Sequence, residues 1–125
     1  MNNNCLFCLI PPERIVSSNE LAYVIRDGYP VTPLHSLVIP KRHVETFFDL
    51  TEQEIKACNE LLHSTRDSIL LEDPSVTGFN IGMNAGEDAG QTIFHCHTHL
   101  IPRRKGDVEN PRGGVRHLIP GKGYY

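Results

Sequence analysis

The sequence predicts an α+β fold, an antiparallel β-sheet covered by one main helix, in a single domain spanning residues 1–125. Three observations lead there. Two apolar stretches near the amino terminus are separated by a proline-stiffened loop, as in an antiparallel strand pair. A capping signature at Thr51 opens a run with helical spacing. Two later stretches alternate apolar with polar or small residues.

In chain order, Ile15 and Val16 read as a short strand, ended by the turn-forming Ser17-Ser18-Asn19. Leu21–Arg26 is rich in strand formers and is broken by Asp27, Gly28, Pro30 and Pro33. Ser36–Ile39 is its partner, stopped by Pro40. Thr51-Glu-Gln-Glu54 is a capping box, in which the hydroxyl takes the Glu54 N–H and Glu54 reaches back. Ile55, Cys58, Leu61, Leu62, Thr65 and Ile69 follow on one helix face, and Pro74 lies beyond its end. Phe79, Ile81 and Met83 mark a strand, Ala85–Gly90 a glycine-containing loop, and Thr92–Ile101 a last alternating strand ended by Pro102.

A length of 125 residues with 39% hydrophobic and 22% charged residues suits one modest core. The net charge of −3 argues against a general nucleic-acid coat, which needs a basic excess. Six of the twelve Lys and Arg lie in the tail 103–125, which reads as a solvated surface or as an anion-attracting rim. No apolar run is long enough to cross a membrane. Met1-Asn2-Asn3-Asn4 lacks the basic and apolar regions of a signal peptide, so a cytoplasmic setting is expected, with Cys5, Cys8, Cys58 and Cys96 reduced.

The segment that carries chemistry is His95-Cys96-His97-Thr98-His99-Leu100-Ile101. On a strand the three imidazoles share one face, roughly 7 Å apart, and Cys96, Thr98 and Leu100 share the other. Three histidines at that spacing are hard to credit to packing. They suit either a metal site or a nucleophile with supporting partners, since neutral imidazole is available near pH 7. Cys5-x-x-Cys8 has the spacing of half a zinc site, or is a reduced, unliganded pair.

These residues resemble the histidine-triad family, whose motif is His-φ-His-φ-His-φ-φ with φ apolar. The resemblance runs from about residue 5 to 120. It includes Thr32-Pro33-Leu34-His35-Ser36-Leu37-Val38-Ile39-Pro40-Lys41-Arg42-His43, Asn80-Ile81-Gly82-Met83-Asn84 and Gly90-Gln91-Thr92. Two positions depart: Thr98 stands where the motif is apolar, and Leu34 replaces a common glycine. The resemblance implies a purine nucleotide substrate, a homodimer, and His97 as a nucleophile toward the α-phosphorus. It also implies His99 at the phosphate or leaving group, with His35 as its support. Asn84 and Thr92 would contact phosphate or leaving group, Gln91 would lie on the same loop as a further binding residue, and Asp27 would grip the ribose hydroxyls. The ending His-Leu-Ile-Pro-Arg-Arg favours the dinucleoside-polyphosphate-hydrolysing branch over the phosphoramidase branch. Related proteins further imply a structural zinc on Cys5, Cys8, His43 and His95, outside the chemistry. Two other readings stay open: a nucleotide-binding regulatory module with little turnover, and a zinc-dependent hydrolase whose triad holds the metal. His63 and His117 are expected at the surface.

Overall fold

A computed structural model describes residues 4–125. Residues 1–3, on which part of the signal-peptide reading rests, lie outside the described residues. The strands are β1 (Ile15–Ser18), β2 (Ala22–Arg26), β3 (Ser36–Pro40), β4 (Val76–Gly82) and β5 (Thr98–Arg104), and the helix α1 is Glu52–Glu72. They form one sheet in the order β1-β2-β3-β5-β4, every neighbouring pair antiparallel, so the α+β expectation holds.

The sheet buries both faces. Ala22, Val24 and Val38 pack against Ala57, Cys58 and Leu61 of α1, while Ile69 meets Val76 and Leu100. On the other face Tyr23, Ile25, Leu37 and Ile39 pack against Cys5 and Phe7 of the amino-terminal segment. Strands covered on both sides read as continuous apolar runs, which is why β2 and β3 lack the alternation of a half-solvated strand.

Helix α1 starts where its capping box places it. Thr51 accepts from the Glu54 N–H, and Glu54 accepts from the Thr51 N–H. Glu54 also takes both arms of Arg42 at 2.7 and 3.0 Å, which fastens the helix start to the segment after β3. That guanidinium is the main reason the Glu54 carboxyl sits at about 2. Thr51→Ala removes one capping bond and leaves the ion pair. It is expected to lower unfolding free energy by ~1 kcal/mol in urea titration, with nucleotide turnover unchanged.

Several boundaries differ from expectation. β1 runs through Ser18, so the turn is shorter than Ser17-Ser18-Asn19. Asn19 makes that turn by accepting from the N–H groups of Leu21 and Ala22. Met83 lies just past β4. The largest correction concerns β5, which spans Thr98–Arg104 rather than Thr92–Ile101. Its ladders begin at Val38↔Thr98 and Gly82↔His99, because β4 has already turned into the Gly86–Gln91 loop and offers residues 92–97 no partner. Pro102 does not stop the strand. Beyond Leu100, β5 has only β4 beside it, so a residue without an N–H is tolerated on the side that β3 has left.

Leu34 adopts a left-handed φ of 72°, among the described residues the one non-glycine with positive φ. This is the position where the resembling sequences carry glycine. The strain is offset by packing, since Leu34 leans on the Ile69, Val76 and Leu100 cluster.

Candidate functional site

His95 and His97 precede the ladder, yet the expected alternation of side chains survives. Cys96, Thr98 and Leu100 are buried, with Leu100 packed in the α1-side cluster. The triad rings gather on the other face, where the Phe7 ring stands edge-on to both His95 (6.0 Å) and His97 (4.9 Å). The segment is held without strand pairing by the Cys96 N–H on the Val44 carbonyl and by the imidazole bonds described next.

Each ring has an assignable tautomer, because a carbonyl only accepts and an amide N–H only donates. His97 donates Nδ1–H to the His95 carbonyl at 2.7 Å, which leaves Nε2 with its lone pair free. His35 accepts the Val31 N–H at Nδ1 (3.0 Å), so its own proton is on Nε2 and is donated to His99 Nδ1 at 2.9 Å. His99 then carries its proton on Nε2. Its ring lies 5.2 Å from that of His97. The result places an imidazole acceptor beside an imidazole donor.

The Asp27 carboxylate faces this pair, with Oδ2 3.4 Å from His35 Nε2 and 3.9 Å from His99 Nδ1. Its Oδ1 accepts the Tyr29 N–H. Asp27 draws the protonated forms of both rings upward, but burial outweighs it. His35 falls below its usual value and His99 falls from 6.5 to about 4, with the neighbouring His97 and His35 adding to the effect of burial on His99. Asp27, His35 and His99 could also be read as three metal ligands. The 2.9 Å contact of His35 with His99 is a hydrogen-bond length, shorter than the roughly 3.3 Å between two nitrogens on a tetrahedral zinc.

A depressed His99 makes a stability prediction. Unfolded, the ring takes a proton near 6.5; folded, it resists until about 4. Stability is therefore full above pH 6.5, is lost as pH falls to about 4, and is flat for this group below that. Glu54 adds a second loss between 4.5 and about 2. The Tm of the wild type should fall through both windows, and His99→Gln should make the fall through the upper one smaller, with His35 and His95 still contributing to it, measured by calorimetry across pH.

His97 and His99 line a cavity of about 410 Å³. Asp27, Asn84 and Thr92 also line it, so five of the expected substrate-side residues converge there. Much of the remaining lining is apolar, from Leu6, Phe7, Ile10, Ile25 and Leu37. His35 lies directly behind His99, 2% exposed. Gln91 is the exception. It is buried outside the cavity lining, its Nε2 donating to the Glu45 and Ile93 carbonyls and its Oε1 accepting the Gly86 N–H. The amide is consumed in shaping the Gly86–Gln91 loop, which corrects the expectation that it faces substrate.

Two residues of the cavity escaped sequence reasoning. Phe7 and Arg14 carry no role in the sequence reading. Arg14 lines the cavity and donates Nη2–H to the Arg26 carbonyl. The only signal for Phe7 was its place inside Cys5-x-x-Cys8.

The second constellation assembles as expected. Cys5 Sγ and Cys8 Sγ lie 3.4 and 3.5 Å from His95 Nδ1, and Cys8 Sγ lies 3.3 Å from His43 Nδ1. All four ligand atoms fall within 4.8 Å of one another. A tetrahedral zinc with bonds of 2.3 Å to sulfur and 2.0–2.1 Å to nitrogen puts S and N roughly 3.6 Å apart, so the donor set fits that ion. His95 is presented correctly for it, since its Nε2–H is donated to the Pro40 carbonyl at 2.7 Å and Nδ1 is left as the ligand. Burial pushes the Cys5 thiol up and the His95 ring down, so the pocket disfavours an uncompensated thiolate and favours neutral imidazole. Cys58 and Cys96 lie elsewhere, and burial holds both at about 11. All four cysteines are free of disulfides. His63 and His117 are exposed, as expected.

Comparison with known proteins places this geometry. A family model described as the HIT domain matches residues 10–106. A bis(5'-adenosyl)-triphosphatase of Dictyostelium discoideum is 38% identical over 103 residues, covering 82% of this chain and 68% of that protein. The crystal structure of a HIT family protein from Bacillus anthracis superposes with a TM-score of 0.76 at 37% identity, over 83% of this chain and 76% of that one. A zinc-bound histidine triad family protein from Mycobacterium smegmatis gives a TM-score of 0.76 at 32% identity, over 83% and 78%.

Proposed function

The chain belongs to the histidine-triad (HIT) family, and on that premise we propose that it transfers a purine nucleotidyl group from a leaving group to water through a covalent bond to His97. The observation that carries this reading is the His97 tautomer: its Nδ1–H is tied to the His95 carbonyl, so the neutral ring has its lone pair on Nε2, in a side chain that lines the cavity.

His97 Nε2 attacks the α-phosphorus, the bond to the leaving group breaks, and the electron pair leaves with that group. His99, kept neutral and protonated on Nε2 by the His35 relay, donates to the phosphate or the departing oxygen. Asn84 and Thr92 contribute an amide and a hydroxyl to the charge that develops. Water then attacks the phosphorus, and the His97 ring leaves. Asp27 has two tasks in this scheme, ordering the His35–His99 pair and accepting from the ribose diol. Gln91 acts as a positioning residue for the loop that carries Asn84 and Thr92. The apolar wall suits a purine face.

Within the family we favour a dinucleoside polyphosphate substrate. Support comes from the His-Leu-Ile-Pro-Arg-Arg ending and from similarity to the Dictyostelium triphosphatase. Zinc held by Cys5, Cys8, His43 and His95 is part of the proposal; it would supply a fixed charge that stabilises the two thiolates. A homodimer and a cytoplasmic setting belong to the same reading on family grounds, and sedimentation tests the first. The main test is a product screen over diadenosine and diguanosine polyphosphates, nucleoside phosphoramidates and nucleotide sugars. Nucleoside monophosphate release, fastest from the dinucleoside polyphosphates, is expected. Fastest release from a phosphoramidate would move the chain to the other branch, and no release from any of them would sink the enzymatic reading.

A further inference from the structure

The amino-terminal segment raises a question that neither the zinc nor the nucleotide reading answers alone. Leu6–Cys8 is a single 3-10 turn lying between the two cysteine ligands. It has no side-chain cap, and its closing backbone bond runs from the Leu9 N–H to the Leu6 carbonyl. The chain enters the sheet only at Ile15. Three things fasten this turn to the body: the packing of Phe7 and Cys5 on Ile25, Leu37 and Ile39, the Tyr23 hydroxyl donating to the Phe7 carbonyl, and the Cys5 and Cys8 contact with His43 and His95. Yet the same turn forms one wall of the nucleotide cavity. Leu6, Phe7 and Ile10 line it, and the Phe7 ring meets His97 edge-on at 4.9 Å and 75°.

We infer that the Cys5–Cys8 clip is a metal-dependent wall of the nucleotide pocket: the ion holds the Leu6–Cys8 turn in place, and Phe7 carries metal occupancy to nucleotide affinity and to the setting of His97. This rests on the zinc and nucleotide readings above and goes beyond both, because it couples the two sites. Without the ion the turn keeps its apolar packing and the Tyr23 bond but loses the cross-link at both of its ends, and whatever order is lost must be restored when nucleotide binds. If the turn is in place only a fraction f of the time, the apparent Kd rises by 1/f. A turn ordered about one tenth of the time weakens binding about tenfold, or ~1.4 kcal/mol. The effect falls on affinity and KM, since His97 and His99 keep their tautomer-setting bonds to His95 and His35.

The test uses the full chain carrying His97→Asn, so that nucleotide is bound without turnover, and nucleoside monophosphate as the probe. Calorimetric Kd is measured with zinc loaded and after chelation, at a temperature where circular dichroism shows both forms folded. A Kd at least about tenfold weaker after chelation, restored by added zinc, is the expected result. In the wild-type chain the His97 ring protons, which lie within the ring current of Phe7, should shift on chelation in NMR spectra. Phe7→Ala keeps all four ligands and serves if the chelated form does not stay folded. With zinc content unchanged it should weaken nucleotide binding at least about fivefold and raise KM more than it lowers kcat. Equal Kd with and without zinc in folded protein, or wild-type affinity in Phe7→Ala, overturns the coupling and leaves the enzymatic reading standing. A wild type that binds no zinc on titration also overturns it. Failure of the zinc-loaded chain to bind either purine monophosphate overturns the nucleotide reading itself.

Discussion

His97→Asn is expected to lower turnover by at least about 10³-fold while the melting temperature and nucleotide affinity stay near those of the wild type. The size follows from the role. A general-acid contact contributes a graded acceleration, but a nucleophile removed from a covalent mechanism leaves only what positioning and electrostatics supply. The geometry makes the test clean. The Asn amide can still donate to the His95 carbonyl in place of Nδ1–H, so the backbone of the unladdered segment keeps a partner. Phe7 loses an aromatic edge contact but stays packed on His95 and the Ile25–Leu37 cluster. Rapid quench of the wild type with labelled dinucleoside polyphosphate should trap a nucleotidyl adduct, acid-labile as a phosphoramidate is, and mass spectrometry should map it to His97. His35→Ala provides the contrast. It frees the His99 tautomer without touching the nucleophile, so the adduct should still form but more slowly. An adduct on His99, or near-normal turnover in His97→Asn, would refute the assignment.

Sequence and structure agree most closely where one physical rule governs locally. The capping box at Thr51 and Glu54 located the start of α1 to the residue, because reciprocal side-chain bonds leave little freedom. The β2–β3 pair was legible because prolines and Gly28 bound both strands. The failures lie where tertiary context decides. Alternation in residues 92–97 looked like a strand, yet a strand needs a neighbour, and the glycine loop at Gly86 and Gly90 carries β4 away. The side-chain directions nevertheless survived, which is why the face of the triad could be foreseen while the start of β5 could not. Gln91 shows the same limit at the site. Its residue type suits a phosphate contact, and only the backbone partners at Glu45, Ile93 and Gly86 reveal that the amide is already used. The relay through His35 was invisible for a related reason, since the tautomers hang on the Val31 N–H, a backbone group with no sequence signature. Phe7 needed the three-dimensional neighbourhood of His97 to become more than an apolar residue between cysteines.

Removal of the metal is expected to lower the melting temperature by roughly 10–20 °C, the other large effect. The four ligands join three separate parts of the chain. Cys5 and Cys8 precede the sheet, His43 follows β3, and His95 lies in the unladdered segment before β5. Free energies of zinc binding to structural sites are large and appear as folding free energy. A loss of ~3 kcal/mol, well below those energies, already gives a shift of this order at roughly 3–6 °C per kcal/mol, between the values for smaller and larger domains. The apo state is penalised further by what is left behind. Three sulfur–nitrogen pairs among the ligand atoms sit 3.3–3.5 Å apart, the residues are buried or half-buried, and His95 is fully buried with its Nε2–H committed to the Pro40 carbonyl. Cys5→Ser/Cys8→Ser should match the chelated wild type in Tm and carry less than a tenth of the zinc of the untreated wild type, as calorimetry and metal analysis on untagged protein would report. The four-ligand site has no open position for water or phosphate, so kcat at saturating nucleotide should survive in the fraction that stays folded. That separates a structural metal from a catalytic one. If kcat per folded molecule vanishes with chelator and returns with zinc while Tm hardly moves, the ion takes part in the chemistry, and the nucleophilic role of His97 fails with it.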